Sequence, residues 1–346
     1  MQALVLEEKG KISLRDFDIT ESLGPDDVRI KPVAVGICGS DVHYYREGNI
    51  GEFVVREPMI LGHEASGIVL EAGENVKNLK PGDRVCMEPG IPNFKSKETL
   101  QGMYNLDPDV QFWATPPVQG CLRESFVHPA GLTFKLPDNV SFHEGALVEP
   151  LAIGVYAAKK AAISTGDNAL VLGAGTIGIV TALAAEASGC ANVFIADVKK
   201  EKLDFVKEHY GDKITAIDLS SETVTDTLKN AGVEQVEIVF EASGSEKAFE
   251  GITDCMTPQG TIVLIGMPNA PVPIDVVAVQ VKEIELKSIF RYVNIYPRVI
   301  GMIASGKMNV LPLVTKVYDF NQSLEAFEYA ATLPGNEIKI MIDTGF

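Results

Sequence analysis

From about residue 166 to residue 290, short β-branched runs alternate with amphipathic stretches, and this is the most regular pattern in the chain. The runs are NALVL, NVFIA, KITAI, VEIVF, TIVLIG and IELKSIF, and the stretches between them cover 176–188, 199–209, 222–230 and 246–256. Continuous apolar runs mark strands covered on both faces by helices, so the pattern predicts a parallel, doubly wound sheet of six strands within an α/β protein. Residues 1 to about 150 read differently. VRIKPVAV, SGIVLEAG and DRVCMEPG alternate with period two between Gly and Pro, with almost no helical periodicity until the end of the segment. That predicts an antiparallel, partly barrel-like β domain. The tail from 321 to 346 offers one amphipathic helix, LEAFEYAAT, and one strand, IKIMIDT, too little to stand alone and expected to pack back on the first domain. Residues 90–117 form a turn-rich excursion with no periodicity of their own.

Composition narrows the class. With 346 residues, 46% hydrophobic and 22% charged, the chain has the make-up of a two-domain globular protein and not of a disordered or collagenous one. Thirty basic residues against 47 acidic ones give a net charge of −17, which repels phosphate backbones and anionic lipid, so neither nucleic acid nor a membrane surface is expected as a partner. The start MQALVLEEKGK lacks a basic segment followed by an apolar stretch, and the longest apolar run, 169–185, is broken by three glycines and two threonines, so neither a signal peptide nor a membrane span is read. The five cysteines, at 38, 86, 121, 190 and 255, are widely spaced and contain no CxxC pair, which argues against a disulfide framework and for the reducing cytoplasm.

A dinucleotide signal follows the first run of the regular region. Gly173, Gly175 and Gly178 stand in GAGTIG between the strand pattern ALVL and a helix pattern that Thr176 and Ile177 open. The first glycine permits a tight turn, the second lets a pyrophosphate approach the helix N-terminus, and the third lets helix and strand pack closely. Asp197 ends the next strand, 19 residues after Gly178 (197 − 178), where a carboxylate holds the ribose hydroxyls and disfavours a ribose phosphate. NAD is therefore expected over NADP, although Lys199, Lys200 and Lys202 follow at once and offer cations to the cofactor.

Cys38, His43, His63 and Glu64 are candidate metal ligands in the β domain, where a catalytic zinc needs about three protein ligands and one open position. Their setting is more specific than the residues themselves. GICGSDVHYY (36–45), GHEASGIVLEAGENV (62–76) and PGDRV (81–85) together resemble the zinc-containing medium-chain dehydrogenases. NLDPDVQFWATPP, LPDNVSFHEGALVEPLAIGVYA and FRYVNIYP narrow the resemblance to the sorbitol and xylitol dehydrogenase branch, over essentially the whole chain.

That resemblance implies a GroES-like catalytic domain from 1–150 and 291–346 around a Rossmann domain at 151–290. It implies one catalytic zinc held by Cys38, His63 and Glu64, with Glu149 joined through water or directly at some step. The family's structural zinc needs four cysteines in the excursion, which has none, so none is expected there; packing of Tyr104, Phe112 and Trp113 is expected to hold that segment. The implied reaction is oxidation of a secondary hydroxyl of a polyol to the ketose with hydride transfer to NAD+, with Ser40 and His43 relaying the proton. Tyr44, Thr115, Glu149, Arg291 and Tyr292 fall at positions implied to meet substrate hydroxyls, with Phe112 as an apolar wall. A threonine or butanediol dehydrogenase shares the same core and stands as the alternative. Relatives in the family imply a homo-oligomer, a tetramer before a dimer, and PVPIDVVAVQV near a sheet edge is either a subunit contact or an interior strand and loop.

Overall fold

The computed structural model describes all residues, Met1 to Phe346, and divides into two compact units: Met1–Glu149 with Tyr296–Phe346, and Pro150–Ile295. In the first unit the strand Asp27–Gly36 is central. It pairs antiparallel with Glu64–Ala72 on one side, and on the other with Phe126–Pro129 near its start and Lys339–Asp343 near its end. The sheet continues through Arg84–Met87 to Thr133–Lys135 at one end and through Val314–Asp319 at the other. A smaller antiparallel sheet, Lys11–Asp16, Gln2–Glu8 and Met59–Ile60, packs with it. Leu4, Leu6, Ile30, Val35, Leu61, Trp113, Phe126, Phe327 and Ile342 share one core between them. Each large side chain fully buried there contributes roughly 1.5–3 kcal/mol.

The tail does pack back on this unit. The helix Ser323–Ala331 puts Ala326, Phe327 and Ala330 into its core, and Lys339–Asp343 becomes an interior strand. Two further helices of the unit were not anticipated from the sequence pattern. Gly39–Glu47 is short and ends where Gly48 takes the left-handed conformation, and Tyr296–Ala304 buries Val299, Ile300 and Ile303.

In the second unit six parallel strands lie in the order Ile214–Asp218, Asn192–Asp197, Asn168–Leu172, Val236–Glu241, Met256–Leu264, Glu285–Ser288. In chain order this is 3-2-1-4-5-6, the doubly wound arrangement, with its switch point between the first and fourth strands. Ala169 to Leu172 are all buried, as strands covered on both faces must be.

Two local expectations fail. The stretch 246–256 forms only a 3₁₀ turn, Glu246–Phe249, followed by turns; Gly251 at φ 64° leaves the helical region and stops propagation. PVPIDVVAVQV is not an interior strand: Val276–Val281 is a short helix capped by the Asp275 side chain, and none of its residues is buried. No helix is long and apolar enough to cross a membrane.

Candidate metal centre and nucleotide site

Three ligating side chains meet in the first unit. Cys38 is the N-cap of the helix Gly39–Glu47, and Asp41 closes a capping box by accepting the Cys38 N–H at 3.2 Å. The same buried Asp41 accepts the Gly62 N–H at 3.3 Å and lies 3.5 Å from Nδ1 of His63. One carboxylate thus ties together two segments that are 21 residues apart in the chain. It also occupies one side of the imidazole and leaves Nε2 for a ligand, the usual support of a metal-binding histidine. Burial works against a charge on His63, but the neighbouring Asp41 and Cys38 outweigh it and raise its pKa well above the ordinary value.

Glu64 begins the strand Glu64–Ala72 with its carboxylate wholly buried, and the donor atoms of Cys38, His63 and Glu64 all lie within 4.8 Å of one another. One sulfur, one nitrogen and one carboxylate oxygen form a three-ligand set of the catalytic kind, with a coordination position to spare, and they fit zinc.

Of the other residues singled out in this unit, Phe112 lies beside a ligand, its ring centroid 5.5 Å from that of His63. Glu149 is buried in the helix Phe142–Ala161 and is not one of the three convergent donors, although its charge acts on both Lys339 and Glu88. Ser40 is half-buried in the first turn of the helix after Cys38, His43 is exposed farther along it, and Tyr44 is buried against the barrel core. Thr115 is half-buried in a turn and donates its N–H to the Phe112 carbonyl at 3.1 Å.

Three residues of this neighbourhood were not anticipated. Asp41 had a local signal, since it stands three residues after Cys38 at capping-box spacing. Lys339 is 4% exposed and sits on Glu64, with Nζ 2.7 Å from each carboxylate oxygen; the available signal was a lysine inside the apolar run IKIMI. Glu88 is buried and accepts the Tyr104 hydroxyl at 2.7 Å, and burial together with the Glu149 charge pushes its carboxyl up to about 7. This bond fastens the excursion that carries Phe112. In the same segment Trp113 packs edge-on against Phe126 and His128.

In the second unit the glycine turn is built as its sequence requires. Gly173 has φ 101°, and a Cβ on Gly178 would strike the Gly173 carbonyl. Gly175 is the N-cap of the helix Thr176–Ser188, and Thr176 and Ile177 form its first turn, at the positive end of the helix dipole. Asp197 ends its strand with Oδ2 accepting the Ala174 N–H at 2.6 Å and Oδ1 the Lys199 N–H at 2.8 Å, so it braces the turn. The Lys202 ammonium reaches the same turn, 3.6 Å from where a Cβ on Gly175 would stand; burial, with Lys199 nearby, lowers its pKa.

Glu241, unanticipated, ends the fourth strand at the switch point, and its Oε1 accepts the N–H groups of Ser243 at 2.8 Å and Gly244 at 3.0 Å. Arg291 and Tyr292 belong to this unit, which ends at Ile295. Arg291 has φ 53° and stacks its guanidinium on Phe290, and Tyr292 is buried.

Residues 24–138 match the alcohol dehydrogenase GroES-like domain family and residues 176–305 the zinc-binding dehydrogenase family. The chain is 55% identical to a D-xylulose reductase of Morganella morganii over 96% of its own length and 98% of that protein. It is 42% identical to the sorbitol dehydrogenase of Mus musculus over 99% and 96%. Among solved structures, 2R,3R-butanediol dehydrogenase from Bacillus subtilis matches with a TM-score of 0.89 and 29% identity over 99% of each chain.

Proposed function

Because the chain belongs to the zinc-binding, medium-chain alcohol dehydrogenase family, in the branch of its D-xylulose reductase and sorbitol dehydrogenase relatives, we propose that it oxidises a sugar alcohol of xylitol or sorbitol type to the ketose and passes hydride to NAD+, reversibly. The convergence of Cys38, His63 and Glu64 carries this reading. Cys38, His63 and Glu64 would hold one zinc, with Glu149 joined through water or directly, and the ion would supply a Lewis acid of the kind that lowers the pKa of bound water from 15.7 to about 7 and so acidifies a secondary hydroxyl.

The chain's own groups do the rest. Ser40 and the exposed His43 pass the released proton outward, help typically worth about 10²–10⁴-fold. Tyr44, Thr115, Glu149, Arg291 and Tyr292 supply donors and acceptors for several hydroxyls, and Phe112 supplies an apolar wall. A site of paired polar groups rejects analogues that lack those hydroxyls. Gly173, Gly175, Thr176, Ile177 and Gly178 receive the pyrophosphate, with Lys202 as its counter-ion. Asp197 takes the ribose hydroxyls and repels a ribose phosphate, favouring NAD+ over NADP+.

Val276, Val277 and Val281, 61%, 66% and 80% exposed, come just before the edge strand Glu285–Ser288 in the chain. This face is assigned to contact with a second copy in a homo-oligomer, a tetramer before a dimer. Five unpaired cysteines suit the cytoplasm.

The test is NAD+ reduction followed at 340 nm across xylitol, sorbitol, galactitol, ribitol, threonine and butanediol, with and without a chelator. Chelator-sensitive turnover on a polyol supports the proposal. Turnover confined to threonine or butanediol, the reading favoured by the butanediol dehydrogenase likeness, discards it.

A further inference from the structure

The residue that grips Glu64 comes from the far end of the chain. Lys339 opens the strand Lys339–Asp343, 275 residues after Glu64, and the main chain sets its register: Ile37 donates its N–H to the Ile340 carbonyl at 2.9 Å. That bond brings Lys339 alongside the residue preceding Cys38. Its Nζ then donates to both Glu64 oxygens at 2.7 Å and to the Ile37 carbonyl at 3.1 Å. All three ammonium protons are thereby used, so the lysine has one orientation. On its other side the Glu64 carboxylate lies against Gly36, where a Cβ would collide with Oε2.

We infer that Lys339 is a positioning residue for the metal centre: it fixes the Glu64 carboxylate and balances its buried charge, so that the C-terminal strand builds the ligand set along with the two ligand segments. The inference rests on the assignment of Cys38, His63 and Glu64 as metal ligands. Lys339 makes no hydrogen bond to Cys38 or His63, and its contact with the ligand set is the pair of bonds to Glu64. A buried ion pair is weak evidence for stability by itself, since the desolvation of two charges offsets much of their attraction. A lysine kept there is better explained by what it orients. Groups that orient a metal ligand typically hold 10–100-fold of metal affinity.

The test compares zinc affinity of the full-length wild type, Lys339→Met and Ile342→Ala by competition against a chromophoric chelator, and records the visible spectrum of each cobalt(II)-loaded protein. Ile342 is buried in the same strand, so its truncation loosens the strand without touching Glu64. The expected result is zinc held about 10–100-fold more weakly by Lys339→Met, with shifted cobalt bands, and neither change in Ile342→Ala. Affinity within threefold of wild type, unshifted cobalt bands, or an equal loss in Ile342→Ala overturns the inference. Should Lys339→Met not fold, Lys339→Gln, which keeps a donor but no charge, is read against the same outcomes. Failure of the wild type itself to bind zinc refutes the metal-centre assignment instead.

Discussion

Replacing Glu88 with glutamine should remove much of the pH dependence of stability in the first unit. The carboxyl is buried, takes one hydrogen bond from Tyr104, and is raised from 4.5 to about 7, chiefly by burial and further by the charge of Glu149. Below pH 4.5 the group is protonated in folded and unfolded chains alike and its ionisation costs nothing. Between 4.5 and about 7 the unfolded chain releases its proton first, so stability falls as pH rises. The difference between the two values corresponds to about 3 kcal/mol once both states are ionised, most of which, about 2–3 kcal/mol, accrues between pH 5 and 8. Glutamine keeps an acceptor for Tyr104 and never ionises.

At about 2–4 °C per kcal/mol for a unit of this size, wild type should lose about 5–10 °C of melting temperature relative to Glu88→Gln between pH 5 and 8. Thermal melts of both proteins at equal zinc loading, read at pH 5, 6.5 and 8, measure this directly. Parallel pH curves for the two proteins would refute the reasoning.

Asp197→Asn removes the charge and keeps one of the two acceptors, for the Ala174 or the Lys199 N–H, so the ratio of NAD+ to NADP+ efficiency should fall roughly 10–100-fold, matching about 1–3 kcal/mol of relieved repulsion; steady-state kinetics with each cofactor checks it, and an unchanged ratio removes Asp197 as the discriminator. Val277→Asp with Val281→Asp places two charges on the exposed apolar helix and should reduce the particle mass measured by light scattering without lowering zinc content; an unchanged mass assigns the contact elsewhere.

The nucleotide unit was legible because its signals are local. Runs such as NALVL need no partner to read as buried strands, and three glycines at fixed spacing dictate a turn. Cys38, His63 and Glu64 were legible as types in motifs, but what holds them was not. Asp41 reaches Gly62 across the fold, and Lys339 reaches Glu64 across nearly the whole chain, and such contacts leave no periodicity. Glu88 reads as a polar residue at a strand end until its burial is seen. Helix expectations failed for the opposite reason: the amphipathic pattern at 246–256 is interrupted by one left-handed glycine, and the helix Gly39–Glu47 is too short to show a period, being set by its capping box. The apolar stretch at Val276–Val281 is an exposed helix, because apolar composition alone does not say which side of an element faces a core.

The central claim is that polyol oxidation depends on the cation held by the thiolate, imidazole and carboxylate of Cys38, His63 and Glu64. Xylitol-dependent NAD+ reduction by Cys38→Ala, measured beside wild type in zinc-supplemented buffer, tests it most directly. Turnover no higher than background in the variant, with wild type active, is the predicted result; turnover in Cys38→Ala equal to that of wild type would contradict the account.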